Sequence, residues 1–271
     1  MTELEQRATQ MRKDIVAMIA KAGSGHPGGS LSSVEIMTAL YFGGVMNYDP
    51  ANPDDPNRDR FILAKGHAAP VLYTTLAHAG YFAREELMTL RQLGSRLQGH
   101  PDSNLLNGVE VSTGSLGQGL SIAAGAASGL KLNNSPATVF TLLGDGECEE
   151  GQVWEAAMYA AHYKLDNLVA IVDRNGLQID GKTEEVCNPS DLCEKFAAFG
   201  WDVHTVDGHD IDALIDLLKQ TKASHDAKPQ VIIAKTVKGK GVSFMENQAS
   251  WHGKAPNDEQ TKAALEELDA Q

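Results

Sequence analysis

Cysteine is scarce in this chain, with Cys148, Cys187 and Cys193 the only three in 271 residues. Their odd number and their spacing fit neither a disulfide framework nor a cysteine metal site, so reduced thiols in a cytoplasmic protein are expected. Positive charge is in the minority, with 23 Lys and Arg against 36 Asp and Glu and a formal net charge of −13. A surface of that sign repels phosphate backbones and argues against nucleic acid as a partner. No apolar run reaches the length of a membrane span, and Met1-Thr2-Glu3-Leu4-Glu5 is no signal peptide, so no membrane is expected either. Internal repeats and low-complexity stretches are also missing. What is present is 42% hydrophobic, enough to bury a sizeable core in one α/β unit.

Residues 138–181, TVFTLLGDGECEEGQVWEAAMYAAHYKLDNLVAIVDRNGLQIDG, organise the rest. Val139 to Leu143 are apolar and β-rich, and they stop at Gly144-Asp145-Gly146. Val153, Ala156, Ala157, Ala160 and Ala161 then recur at helical spacing. Leu168 to Val172 form a second β-rich run, ended by Asp173-Arg174-Asn175-Gly176. Two buried-type strands joined through a helix predict a βαβ unit with both turns at the carboxyl edge of a parallel sheet, where open α/β folds bind ligands. Asp145, Asn175 and the carbonyl of Leu177 then offer hard oxygen ligands; two diphosphate oxygens and a water would complete an octahedral Mg²⁺ site. Gly144 and Gly146 let backbone approach phosphates without a Cβ in the way. Taken alone, Gly-Asp-Gly is also an ordinary strand-ending turn; the Asn-Gly turn after the next strand is what favours a site.

Helices are predicted over 4–22, 31–42, from about 68, 84–93, 120–132, near 190–199, 210–221 and 256–269. Further strands are predicted at 61–64, 203–206 and 229–234. The expectation is a doubly wound, mainly parallel sheet flanked by helices, one domain over 1–271 with an arm at 1–22 and a tail at 256–271. Three of the nine histidines stand in glycine- or proline-flanked turns: His26 in GSGHPGGS, with Ser30 placed to cap the next helix, His67 in KGH and His100 in GHPD, where Asp102 is the nearest carboxylate. Thr113-Gly114-Ser115-Leu116-Gly117 precedes a small-residue helix, whose free N–H groups suit an anion or whose small side chains suit close packing. The lysines of KTVKGKG read either as a phosphate grip or as a solvated loop. His78, His162, His204, His209 and His225 match no such turn.

Gly-Asp-Gly followed by an Asn-Gly turn, with the wording around it, resembles the amino-terminal part of transketolases over roughly residues 8–255. The resemblance implies a thiamine diphosphate (ThDP) fold of the diphosphate-binding type, with Mg²⁺, Ca²⁺ or Mn²⁺ held by Asp145, Asn175 and Leu177. It implies His67, Gly114, Leu116, Gly146, Glu147 and Asn175 at the cofactor, and His26, His67, His100 and His252 (in SWHGKAP) at the sugar. It puts Glu150 and Glu155 at a subunit interface. The implied reaction moves a two-carbon ketol unit from a ketose phosphate to an aldose. Transketolases are more than twice this length and carry a pyrimidine-binding domain after this one, so a separate pyrimidine-domain subunit in an α₂β₂ assembly is expected. The alternatives are the α-type subunit of a 2-oxo acid dehydrogenase, which has little use for four histidines, and a non-catalytic module of the same fold.

Overall fold

The computed structural model describes residues 1–271. Helix α1 (Glu3–Ala22) starts at a reciprocal cap between Thr2 and Glu5 and ends at Gly23, whose φ of 63° is open to glycine. Its apolar stripe, Met11, Ile15, Met18 and Ile19, is fully buried. Two helices, α2 (Pro27–Leu31) and α3 (Val34–Phe42), stand where one was expected over 31–42. The break has a cause: the Ser33 hydroxyl donates to the Gly29 carbonyl, competing with the helical ladder, while the Ser32 hydroxyl is drawn to the carboxylate of Asp173. Ser30, expected as a cap, instead donates to the carbonyl of His26 from within α2.

The chain continues through β1 (Arg60–Leu63), α4 (Ala69–His78), α5 (Gln118–Leu132), β2 (Val139–Gly144), α6 (Gly151–His162) and β3 (Leu168–Arg174). A short hairpin, β4 (Leu177–Gln178) and β5 (Gly181–Lys182), leads into α7 (Thr183–Val186) and α8 (Leu192–Ala198). Then come β6 (Asp202–Asp207), α9 (Ile211–Lys222), β7 (Gln230–Lys235) and α10 (Asp258–Asp269). The helix expected over 84–93 is only a 3₁₀ stretch, Arg84–Thr89. Arg91 leaves it with φ at 58° and closes a loop by donating its N–H to Leu97.

Five strands form one all-parallel sheet in the order β1-β2-β3-β7-β6. From β3 the chain jumps to the far edge and returns inward to β7. Side chains alternate across the sheet, so each strand feeds two cores. Phe61, Phe140, Leu142, Ile171 and Ile232 face the core built with α1, α3, α4, α9 and α10. Ile62, Val139, Leu143, Val172 and Ile233 face the core built with α5, α6 and α8. Each such fully buried side chain contributes about 1.5–3 kcal/mol of hydrophobic stabilisation. The predicted doubly wound architecture is observed, and α1 and α10 pack on each other within the first core.

Candidate active site

Because β1, β2, β3 and β7 run the same way, the residues that follow them meet on one edge. A cavity of about 150 Å³ opens there. It is lined by His67 after β1, by Gly144 to Glu147 at the end of β2, by Asn175 and Leu177 after β3, and by Lys238 after β7. Leu116, ahead of α5, and His252, ahead of α10, complete the predicted residues on its wall. Gly114 sits one step back, where an added Cβ would come within 2.8 Å of the His100 ring. Its φ of 142° is likewise a glycine conformation.

The acidic wall is buried and held by backbone donors. Asp145 accepts the Gly146 N–H at 2.9 Å and the Gly176 N–H at 2.5 Å, which joins the two turns that the strand pattern puts at one edge. Burial pushes its carboxyl up to about 6, with the charge of Asp173 adding to the rise. Glu147 accepts the N–H groups of Gly117 and Gly144, each at 3.0 Å, and burial raises it to about 7. The Gly117 N–H is thus occupied by a carboxylate rather than free for an external anion. Asn175 turns its amide oxygen to the Leu177 N–H at 3.1 Å and donates to Asp173 at 3.3 Å.

Beneath this wall lies an ion pair that sequence reasoning missed. Asp173 is wholly buried and pairs with Lys65, itself 1% exposed. The hydroxyls of Ser32 and Thr236 also donate to it. Burial alone would raise the Asp173 carboxyl, yet Lys65 and these donors hold it below the ordinary carboxylate range. Lys238, for which the sequence left a solvated loop open, is 2% exposed, and burial brings its ammonium down to about 8. It donates to the Leu177 carbonyl at 3.1 Å and meets His252 Nδ1 at 3.0 Å. With the ammonium as donor, Nδ1 of His252 is the acceptor and Nε2 carries the proton.

All four predicted histidines come together. The His26 ring centroid lies 5.5 Å from His67, 6.0 Å from His100 and 5.5 Å from His252, and His67 and His252 are stacked at 5.0 Å. Burial and neighbouring cations disfavour the charged ring at each. His26 is brought down to about 4 by burial, with Arg91 assisting, and His252 to about 3 by burial and Lys238. His67 falls well below its ordinary value through burial and Lys65, and His100 is lowered by burial and Arg91. Nδ1 of His26 is buried without a hydrogen-bond partner. Asp102 does not join the cluster: its carboxylate is taken up by Asn104 and Ser112 in its own turn. Outside the cluster, His78 bonds Asp14 and His204 bonds Gln230, both in structural contacts.

Comparison with known proteins places this edge in context. The profile of the transketolase thiamine diphosphate binding domain matches residues 5–270. The chain belongs to that family of thiamine diphosphate-binding domains. A 6-deoxy-6-sulfo-D-fructose transketolase subunit (SqwG) of Clostridium sp. strain MSTE9 is 45% identical over 98% of this chain and 96% of its own. One of the apulose-4-phosphate transketolase subunits, that of Phocaeicola vulgatus, is 43% identical over 98% of this chain and 93% of its own. The crystal structure of transketolase from Campylobacter jejuni superposes with a TM-score of 0.91 at 34% identity, covering 99% of this chain but 43% of that one. The chain thus has the length of these two subunits and less than half that of the C. jejuni enzyme. It is a transketolase-family subunit.

The signals for the missed residues were weak for a physical reason. Lys65 follows β1 and Asp173 lies at the end of β3, strands that are not neighbours, so nothing local announces their pairing. For Lys238 the run KTVKGKG carried too little to decide between grip and solvent.

Proposed function

We propose that this chain is the diphosphate-binding half of a two-chain transketolase that moves a two-carbon ketol unit from an acidic ketose, such as a sugar phosphate, to an aldose. The observation that carries the reading is one cavity that joins a buried oxygen set to His67 and His252, with His26 packed against both rings and His100 beside His26, the four histidines drawn from separate loops. Asp145, Asn175 and the Leu177 carbonyl are hard oxygen donors suited to Mg²⁺, or to Ca²⁺ or Mn²⁺, and the raised Asp145 carboxyl is a buried charge that a cation would relieve. The backbone at Gly144 fits a diphosphate, since an added Cβ there would meet nothing nearer than 3.9 Å and its place is kept open. Gly146, Glu147, His67, Gly114 and Leu116 complete the proposed cofactor contacts. When bound, thiamine diphosphate supplies the electron sink that carbon–carbon cleavage beside a carbonyl requires.

The remaining chemistry falls to the histidines. A neutral imidazole offers one donor and one acceptor, which matches the vicinal hydroxyls of a sugar better than a charged ring would. His26, with its unpartnered Nδ1, His100 and His252 would orient the hydroxyls and carry protons between them, and His67 would bridge sugar and diphosphate. The pyrimidine end of the cofactor would be held by a separate chain bearing the pyrimidine-binding domain, in an α₂β₂ assembly with Glu150 and Glu155 near the contact. The three free cysteines fit a cytoplasmic setting.

The test is cofactor affinity. In the assembled complex, Asp145→Ala is expected to weaken Mg²⁺-dependent binding of thiamine diphosphate by about a hundredfold or more, read by calorimetry. Unchanged affinity would refute the ligand assignment.

A further inference from the structure

Outside the cavity, the molecule buries a further cluster of charged side chains that the proposed chemistry does not use. Arg12 of α1 and Glu35 of α3 are 4% and 7% exposed, and they form an ion pair. The second Glu35 oxygen lies 2.9 Å from Nδ1 of His209, in the loop between β6 and α9. The other His209 nitrogen, Nε2, accepts the backbone N–H of Val237 at 2.8 Å. A backbone N–H can only donate, so Nε2 is the bare nitrogen and Nδ1–H donates to Glu35. Arg12 in turn donates from Nε to the carbonyl of Lys240 at 3.0 Å.

The two backbone groups that the cluster grips, on Val237 and Lys240, flank Lys238. Between them the Gly239 N–H donates to the Gly28 carbonyl at 3.0 Å, tying the segment to the first turn of α2, which His26 precedes. Lys238 is therefore fixed from behind at both flanks while its ammonium reaches forward to Leu177 and His252. We infer that the Arg12–Glu35–His209 triad is a positioning device for Lys238: His209, oriented by Glu35, sets where the ammonium stands and through it the tautomer of His252 and the direction of the Leu177 carbonyl. The triad touches neither cofactor nor sugar and acts only through the 237–240 segment. The inference rests on the proposed reading of the cavity.

The test is a double-mutant cycle between His209 and Lys238 in the complex with the partner chain, joined to ¹⁵N NMR of the unloaded chain. His209→Leu removes the acceptor for Val237 and is expected to lower kcat about 10–100-fold while the sugar KM stays within about threefold. His209→Gln, which can place an amide oxygen near the position of Nε2, is expected to recover most of that loss. In a Lys238→Met background, adding His209→Leu is expected to cost less than about a further twofold, because both changes act through one group. The wild-type His252 ring should show the Nε2–H tautomer, and His209→Leu should shift it toward a mixture. Full activity of His209→Leu, losses that multiply in the double variant, or an unmoved His252 signal would overturn the positioning role. If His209→Leu does not fold, Glu35→Gln carries the same cycle with Lys238→Met, and the same multiplied loss overturns it. A fully active Lys238→Met would likewise overturn the inference, whereas a wild-type complex that transfers no ketol unit would overturn the reading of the cavity itself, an outcome distinct from failure at His209 alone.

Discussion

The four site histidines owe their proposed usefulness to what surrounds them rather than to histidine as such. At His26 the ordinary value of 6.5 falls to about 4, through burial first and then through Arg91, His100 and Lys238. Between those two pH values the unfolded chain binds a proton that the folded chain excludes, so acid erodes stability across that window. Replacing the ring removes this slope. Urea unfolding should therefore show wild type losing about 1–2 kcal/mol relative to His26→Gln between pH 7 and pH 4.5, less than the full shift implies because the ring is only half buried. Asp145 and Glu147, which lean the other way, are common to both proteins and cancel in the difference. Parallel curves would show that His26 is not held neutral by its surroundings. At this scale the sequence was informative wherever chemistry and backbone coincide: His26, His67 and His100 stand out because glycine and proline flank them. His252, next to Gly253 but not at a recognisable strand or helix end, came in by resemblance. Lys65, Asp173 and the His209 triad were illegible because their partners lie on elements far apart in the chain.

At the scale of elements, strands were readable because both faces of a parallel sheet are covered and each strand is a nearly continuous apolar run. Helix boundaries fared worse where side chains competed for the backbone. The Ser33 hydroxyl split one expected helix in two, and the loop closed by Arg91 cut another to a 3₁₀ stretch. The β4–β5 hairpin, two residues in each strand, leaves no periodic trace at all. The small residues ahead of and within α5 resolve the ambiguity noted for that helix. An added Cβ on Gly119 would lie 2.3 Å from Cβ of Ala64 and 2.5 Å from its Cα, so α5 packs directly on the end of β1, next to Lys65. Gly119→Ala should destabilise the chain by about 1–3 kcal/mol in chemical denaturation. Gly125→Ala, on the same helix with nothing within 4 Å of the new atom, should be neutral or stabilising by up to about 1 kcal/mol. Equal effects at the two positions would contradict the close packing of α5 on β1.

For the whole molecule, the decisive fact is length. The chain fills 43% of the C. jejuni transketolase but nearly all of two proteins named as transketolase subunits. In the proposed account its fold supplies the diphosphate edge of the site, and the opposite wall belongs to another chain. In that account His67 and His252 line the cavity with His26 and His100 beside them, and the site closes around the sugar only when the other wall arrives. The formal charge of −13 implies that the partner contact is not driven by this chain's own basic groups. The most direct measurement is the ketol-transfer rate of this chain, purified with thiamine diphosphate and Mg²⁺, before and after adding the pyrimidine-domain chain that co-purifies with it from its native cells. The account predicts no transfer by this chain alone and transfer that rises to a plateau at one partner per chain. Unaided turnover, or a partner that binds stoichiometrically and restores nothing, would contradict it.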